Sequence, residues 1–223
     1  MKLPIILVNF KNYKEGVNFN GVKLAGICDS VSKEFGVNIS VSASYCDIKE
    51  IKAKTNVHIF SQHIDPIEAP GAYTGGVVAE NLKDLGISGS LLNHSERKMG
   101  LEDIGKCIKI LRSLNLISIC CAASTEEVES IAIISPDFIS IEPPELIGTG
   151  VSVSTTRPEI VTKTIDIVKK INPKINVLCG AGIANRNDVK KALELGSRGV
   201  LVSSRVVKAE DPRKILVELA NGL

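Results

Sequence analysis

His94 ends an apolar run, Ile87 to Leu92, and Ser95, Glu96, Arg97 and Lys98 follow it. A buried strand that delivers an imidazole to its exposed end makes a natural proton handler. A helical start is expected directly behind His94, and the positive end of its dipole disfavours the protonated ring. Further along, Glu142 leaves a second apolar run, Phe138 to Ile141. Pro143 and Pro144 stiffen the start of the next loop, and Gly148-Thr149-Gly150 loosens its end. A loop built this way can close like a lid over its own base. A carboxylate desolvated by that closure becomes a stronger base.

Other residues fit around this pair. In Asn9-Phe10-Lys11 the strand alternation puts Asn9 and Lys11 on one face, with Lys11 a fixed cation at the mouth of a cleft. Glu96 either pairs with Lys11 across the site or serves as a first-turn helix carboxylate. Cys179-Gly180-Ala181-Gly182-Ile183 and Val202-Ser203-Ser204 offer small residues, which let main-chain N–H groups approach a phosphate. Asn185 is placed to cap the helix after the first of these stretches. A long loop, Gln62 to Gly76, carries Tyr73 and Thr74 at its tip. The other two histidines, His58 and His63, read as structural.

These positions need elements to hold them. Strands are expected at Leu3 to Val8, Val37 to Ala43, Val57 to Gln62, Ile87 to Asn93, Leu116 to Cys121, Phe138 to Ile141, Ile175 to Cys179 and Gly199 to Val202. Most are apolar almost throughout, which suits parallel strands buried on both faces. Helical periodicity lies between them, as in Ile104, Cys107, Ile108, Leu111 and Leu114. Ser124 with Glu127 reads as a capping box, and Asp211-Pro212 as the start of the last helix. Eight strands, each followed by a helix, close into a (β/α)8 barrel, a single domain over residues 1–223. The rival, a doubly wound open sheet, usually carries a G-x-G-x-x-G fingerprint after its first strand, and the chain has none. In the barrel the chemistry sits at the C-terminal strand ends, where the residues above fall.

Composition narrows the function. The chain has 223 residues, 44% of them hydrophobic, and a formal net charge of +2 spread along the helical segments. With 4% aromatics and no Trp it offers few stacking platforms, so a nucleic-acid partner is not expected. The N-terminal apolar run is too short for a signal peptide or a membrane span, which points to a cytoplasmic protein. The six cysteines form no C-x-x-C pair and read as reduced, mostly buried thiols. Cys120 and Cys121 alternate faces on a strand, a poor start for a zinc site, so no metal is expected.

Asn9-x-Lys11, His94-Ser95-Glu96-Arg97, Glu142-Pro143 with Gly148-Thr149-Gly150, and the two small-residue turns occur in one chain order. The combination resembles the triosephosphate isomerase family over essentially the whole chain. The resemblance implies a cofactor-free isomerase that interconverts glyceraldehyde 3-phosphate and dihydroxyacetone phosphate in glycolysis or gluconeogenesis. It makes Glu142 the base and His94 the neutral group that polarises the carbonyl. Lys11 and Asn9 then stabilise the enediolate, and Glu96 completes the catalytic set. Asn9, Phe10, Lys11, Ile147, Gly148, Gly182, Ser203 and Ser204 would contact the substrate. The Tyr73-Thr74 loop resembles one that inserts beside a neighbouring subunit's site, implying at least a homodimer. The short chain and Pro144-Glu145-Leu146, in place of the common Val-Trp-Ala segment, resemble the compact archaeal branch, whose members tend to be tetramers. Arg205 departs from that branch, where glycine is expected; it either alters phosphate contact or points to solvent. The alternative is another phosphate-binding barrel enzyme, resembling a pentose-phosphate epimerase or an indole-glycerol-phosphate synthase. A metal-dependent epimerase needs a His/Asp cluster, and the chain has three histidines.

Overall fold

Runs rich in Ile and Val become eight parallel strands in the computed structural model, which describes residues 2–150 and 152–223. They are β1 (Ile5–Asn9), β2 (Asn38–Ala43), β3 (Ile59–Ser61), β4 (Gly89–Leu92), β5 (Ile117–Ala122), β6 (Phe138–Ile141), β7 (Asn176–Cys179) and β8 (Gly199–Val202). They pair in sequence order, and β8 returns to β1 to close the barrel. The helices are α1 (Asn18–Phe35), α2 (Ile48–Lys54), α3 (Ala79–Asp84), α4 (Leu101–Ser113), α5 (Thr125–Ile133), α6 (Val153–Thr156), α7 (Pro158–Ile171), α8 (Arg186–Glu194), α9 (Ser204–Val207) and α10 (Pro212–Ala220). The (β/α)8 architecture expected from the sequence is the one observed.

Strand alternation divides the core in two. Ile5, Leu7, Phe60, Leu91, Ile119, Cys121, Phe138, Leu178 and Leu201 fill the barrel interior. Ile6, Val8, Ile39, Val41, Ile139 and Val200 point outward to the helices. Both strand faces are therefore apolar, as parallel strands covered on both sides require. The inward parity continues past the strand ends. Ile5 and Leu7 lead to Asn9, Phe138 to Ser140 and then Glu142, Leu178 to Gly180, and Leu201 to Ser203. The packing pattern thus aims the chemistry.

β6 and β8 begin where the sequence places them, and the other six strands begin one or two residues inside the apolar runs that mark them. Val37 shows why: its N–H donates to Ser32 O at 3.2 Å, closing α1 behind a left-handed Gly36. Asn185 caps α8 in a full capping box with Asp188, and Asp211 caps α10 through the Lys214 N–H. The box expected at Ser124 is only half formed. Ser124 accepts from the Glu127 N–H, but the Glu127 carboxylate turns to the Ala123 N–H, Asn93 and Lys98. Three donors there outcompete the single one of Ser124. Five cysteines are buried and Cys46 is exposed.

Candidate active site

β4 delivers His94 through a left-handed residue. Asn93 has φ 57°, which asparagine tolerates better than most residues. Its amide donates to Cys121 O at 3.0 Å and to Glu127 Oε1 at 2.8 Å, and its Oδ1 accepts from the Met99 N–H at 3.0 Å. The chain then makes a single turn, with the Arg97 N–H donating to His94 O at 2.8 Å. The helix expected directly behind His94 is not there, because α4 begins only at Leu101. A local bond fixes the ring instead: the Glu96 N–H donates to His94 Nδ1 at 3.2 Å. A ring nitrogen that accepts a hydrogen bond carries no proton, so the neutral ring keeps its proton on Nε2. Nε2 lies 3.4 Å from Glu142 Oε2.

Glu142 is 3% exposed. Its N–H donates to Ala122 O at 2.8 Å, extending the β5–β6 pairing by one residue. Its Oε1 is buried and has no hydrogen-bond partner among the described residues. Such an oxygen costs free energy in the folded chain, and a site that keeps one holds a ready proton acceptor. The β6–β7 register sets Ile141 beside Cys179, and Gly180 follows beside Glu142. A Cβ on Gly180 would lie 2.3 Å from Glu142 Cγ and 2.4 Å from Ser140 Oγ, so only glycine leaves the base its place. Cys121 sits below it. Burial first, and then the Glu142 carboxylate, push its thiol well above the usual range, so it stays protonated.

Lys11 is reached through another left-handed residue, its own, at φ 49°. Its N–H donates to Asn9 Oδ1 at 3.0 Å, and its carbonyl accepts from Gln62 Nε2 at 2.9 Å. Lys11 Nζ meets Glu96 Oε1 at 2.7 Å, so of the two readings of Glu96 the pairing is the one found. With Glu96 60% exposed, such a pair contributes at most about 1 kcal/mol to stability; it orients the ammonium.

Lys11, His94, Glu142, Gly180, Gly182, Ser203, Ser204 and the loop residues Ile147 to Gly150 line a cavity of about 290 Å³. That volume suits a small metabolite better than a nucleotide. In the loop after β6, Pro144–Leu146 forms a 3-10 turn, Leu146 packs into the core, and Glu145 pairs with Arg157. Gly148 and Gly150 take φ 75° and 74°. Asn9 lines an adjoining cleft, which shares Lys11, Tyr13 and His94 with the cavity and reaches Tyr45, Gln62 and His63. Phe10 lines neither space: its parity turns it outward, and it is wholly buried in the core between barrel and helices. Sequence reading did not single out Asn93 or Tyr13, and it named Gly180 only as part of a phosphate turn. Gly180 faces Glu142 through the register of two strands, which neither strand's sequence carries alone.

His63 and Asp65 hold the long loop beside this cleft. His63 Nε2 lies 3.0 Å from Asp65 Oδ1, and Asp65 Oδ2 accepts from the Val77 N–H at 2.7 Å. Burial is the main force holding His63 below its usual pKa of 6.5, and it acts the same way on His58. Below about pH 6.5 the unfolded chain gains protons that these folded imidazoles resist, so stability falls there as pH falls. The melting temperature is expected to drop between about pH 7.5 and pH 5.5, and His63→Gln to flatten part of the drop. An unchanged slope in that variant would remove His63 from the account.

Among the described residues no cluster of three or more His, Cys, Asp or Glu is arranged to hold a metal ion. None of their helices is long and apolar enough to cross a membrane. The arrangement as built can take a proton on Glu142 while His94 donates one from Nε2. The sequence pattern of triosephosphate isomerase matches residues 4–221. The chain belongs to the triosephosphate isomerase family. The triosephosphate isomerase of Methanothermus fervidus is 48% identical over 219 residues, 98% of each chain. That of Methanobacterium bryantii is 45% identical over 99% of this chain and 97% of its own. That of Methanocaldococcus jannaschii is 44% identical over 96% of this chain and 98% of its own. Triosephosphate isomerases from archaea are thus similar to this chain along nearly its full length, as its short length and altered lid suggested.

Proposed function

We propose that the chain interconverts D-glyceraldehyde 3-phosphate and dihydroxyacetone phosphate through an enediolate, serving glycolysis or gluconeogenesis. Glu142 carries the reading: it lines a small cavity with a buried carboxylate, one oxygen of which has no partner while the other lies beside the neutral imidazole of His94. Glu142 takes the proton from the carbon next to the carbonyl. His94 Nε2–H polarises the carbonyl oxygen and passes protons between the two oxygens. The Lys11 ammonium offsets the charge that develops on them, Asn9 fixes Lys11 through its N–H, and Glu96 holds the ammonium in line. Glu142 then returns its proton to the other carbon, so the chain ends as it began and needs no cofactor. The main chain at Gly148, Gly182, Ser203 and Ser204, which line the cavity, receives the phosphate, with Ile147 over it and Phe10 contributing only by packing. Lid closure keeps water from the enediolate, which would otherwise lose phosphate.

A coupled assay in EDTA tests the proposal. Glyceraldehyde 3-phosphate is supplied, and dihydroxyacetone phosphate is read as NADH loss through glycerol-phosphate dehydrogenase. Fast NADH loss is the expected result; none from well-folded protein would contradict it. We read the chain as one catalytic domain. The five buried free thiols suit a reducing cytoplasm.

The active unit in this reading is a homo-oligomer. Tyr73 is 54% exposed at the tip of its loop, and the Asn9–Tyr45–Gln62 cleft is a socket for that loop from a second copy. Leu101 at the start of α4 and Ile133 at the end of α5 are exposed large hydrophobics, a second apolar contact that would make dimers into a tetramer. Sedimentation is expected to give the tetramer. A monomer retaining full activity would overturn this part.

A further inference from the structure

The turn after β8 carries a side chain the mechanism above does not use. Arg205 is exposed at the rim of the Glu142 cavity. Its Nε donates to Ala184 O at 2.9 Å. Ala184 belongs to the β7–α8 connection, whose Gly182 forms one wall of the cavity's end, while Ser203 and Ser204 form the other. The bond ties the two walls together and fixes the plane of the guanidinium. Among the described residues no carboxylate pairs with the terminal nitrogens of Arg205. Lys208, on the same turn, also lines the cavity, with its ammonium 5.1 Å from the centroid of the Tyr13 ring. Glu142 is the one acidic side chain among the described residues lining this space, and Lys11 is already paired with Glu96. Ser203 Oγ in the same wall is buried without a partner. The wall therefore holds unspent donors and unspent positive charge.

We infer that Arg205 is a specificity residue for the substrate's phosphate, its terminal nitrogens pairing with the outer oxygens of the dianion. The inference rests on the isomerase reading and adds a side-chain cation to the main-chain contacts. A planar guanidinium held at Nε presents its remaining donors as a fork that matches two phosphate oxygens. Because the group lies at an exposed rim, its attraction is screened by salt and acts on substrate binding, away from the proton transfer. Lys208 adds charge without the fork.

The test is kinetic. Arg205→Gln is expected to raise KM, and the inhibition constant of inorganic phosphate, about tenfold, with kcat within about twofold and a flatter dependence of KM on salt. Arg205→Lys keeps the charge but loses both the fork and the bond to Ala184, and it is expected to recover only part of the phosphate affinity. Unchanged KM and phosphate inhibition in Arg205→Gln would overturn the inference. So would a lysine variant as weak as the glutamine one, because that result gives the positive charge no part, or one as strong as the parent, because that result gives the fork none. If the parent protein does not isomerise the triose, the functional reading falls separately. Calorimetric titration of inorganic phosphate into the parent and Arg205→Gln still decides the point, and equal affinities would overturn it.

Discussion

Glu142→Gln is expected to cut kcat by about 10²–10⁴-fold, the usual worth of one positioned general base, while the protein stays folded. The two side chains have the same shape, so the close fit against Gly180 is kept. The change removes a buried charge whose Oε1 has no partner, so thermal stability is expected to hold or rise. Substrate binding should change little, because the phosphate and the cations Lys11 and Arg205 lie outside the substitution. The split is read by steady-state kinetics beside a melting curve: kcat collapses, KM moves little and the melting temperature does not fall. Near-normal turnover would take the base away from Glu142.

Gly180→Ala reaches the same oxygen from the neighbouring strand. The new methyl would need to occupy space 2.3 Å from Glu142 Cγ and 2.8 Å from Glu142 Cδ. Neither strand can yield easily, because the Gly180 N–H donates to Ile141 O at 3.0 Å inside a closed barrel. The carboxylate must move, and a displacement of about 1 Å at a reacting group can cost about 10²-fold in rate. The expected result is a kcat loss of that size in a protein whose circular dichroism is unchanged. Unaltered kcat would mean that the position of Glu142 is less strictly set than its packing indicates.

The barrel was legible in the sequence because parallel strands buried on both faces leave continuous Ile- and Val-rich runs, and helices leave amphipathic ones. His94, Glu142 and Lys11 were legible because each is a polar residue at or just beyond the end of such a run. What the sequence hid depends on pairing between distant segments. The partner that fixes the proton of His94 is the N–H of Glu96, set by a tight turn where a helix had been expected. Charged residues after a strand suit either form, and only the main-chain path separates them. Glu127 read as half of a capping box because its spacing from Ser124 is right; Asn93 and Lys98 claim its carboxylate from the preceding β–α unit. Phe10 sits between two cleft residues in the chain, and strand alternation sends it to the opposite face. Arg205 could be named from sequence, but its bond to Ala184 needs two neighbouring loops in place.

Isomerisation of dihydroxyacetone phosphate in deuterium oxide, followed by proton NMR, tests most directly the proposed transfer of a proton by Glu142 between two carbons through an enediolate. A proton held on a carboxylate exchanges with solvent before it is returned, so part of the glyceraldehyde 3-phosphate formed is predicted to carry deuterium at C2. Turnover and label are predicted to vanish together in Glu142→Gln. Rapid turnover that leaves both trioses unlabelled, or labelling that persists at the parent rate in Glu142→Gln, would contradict the account.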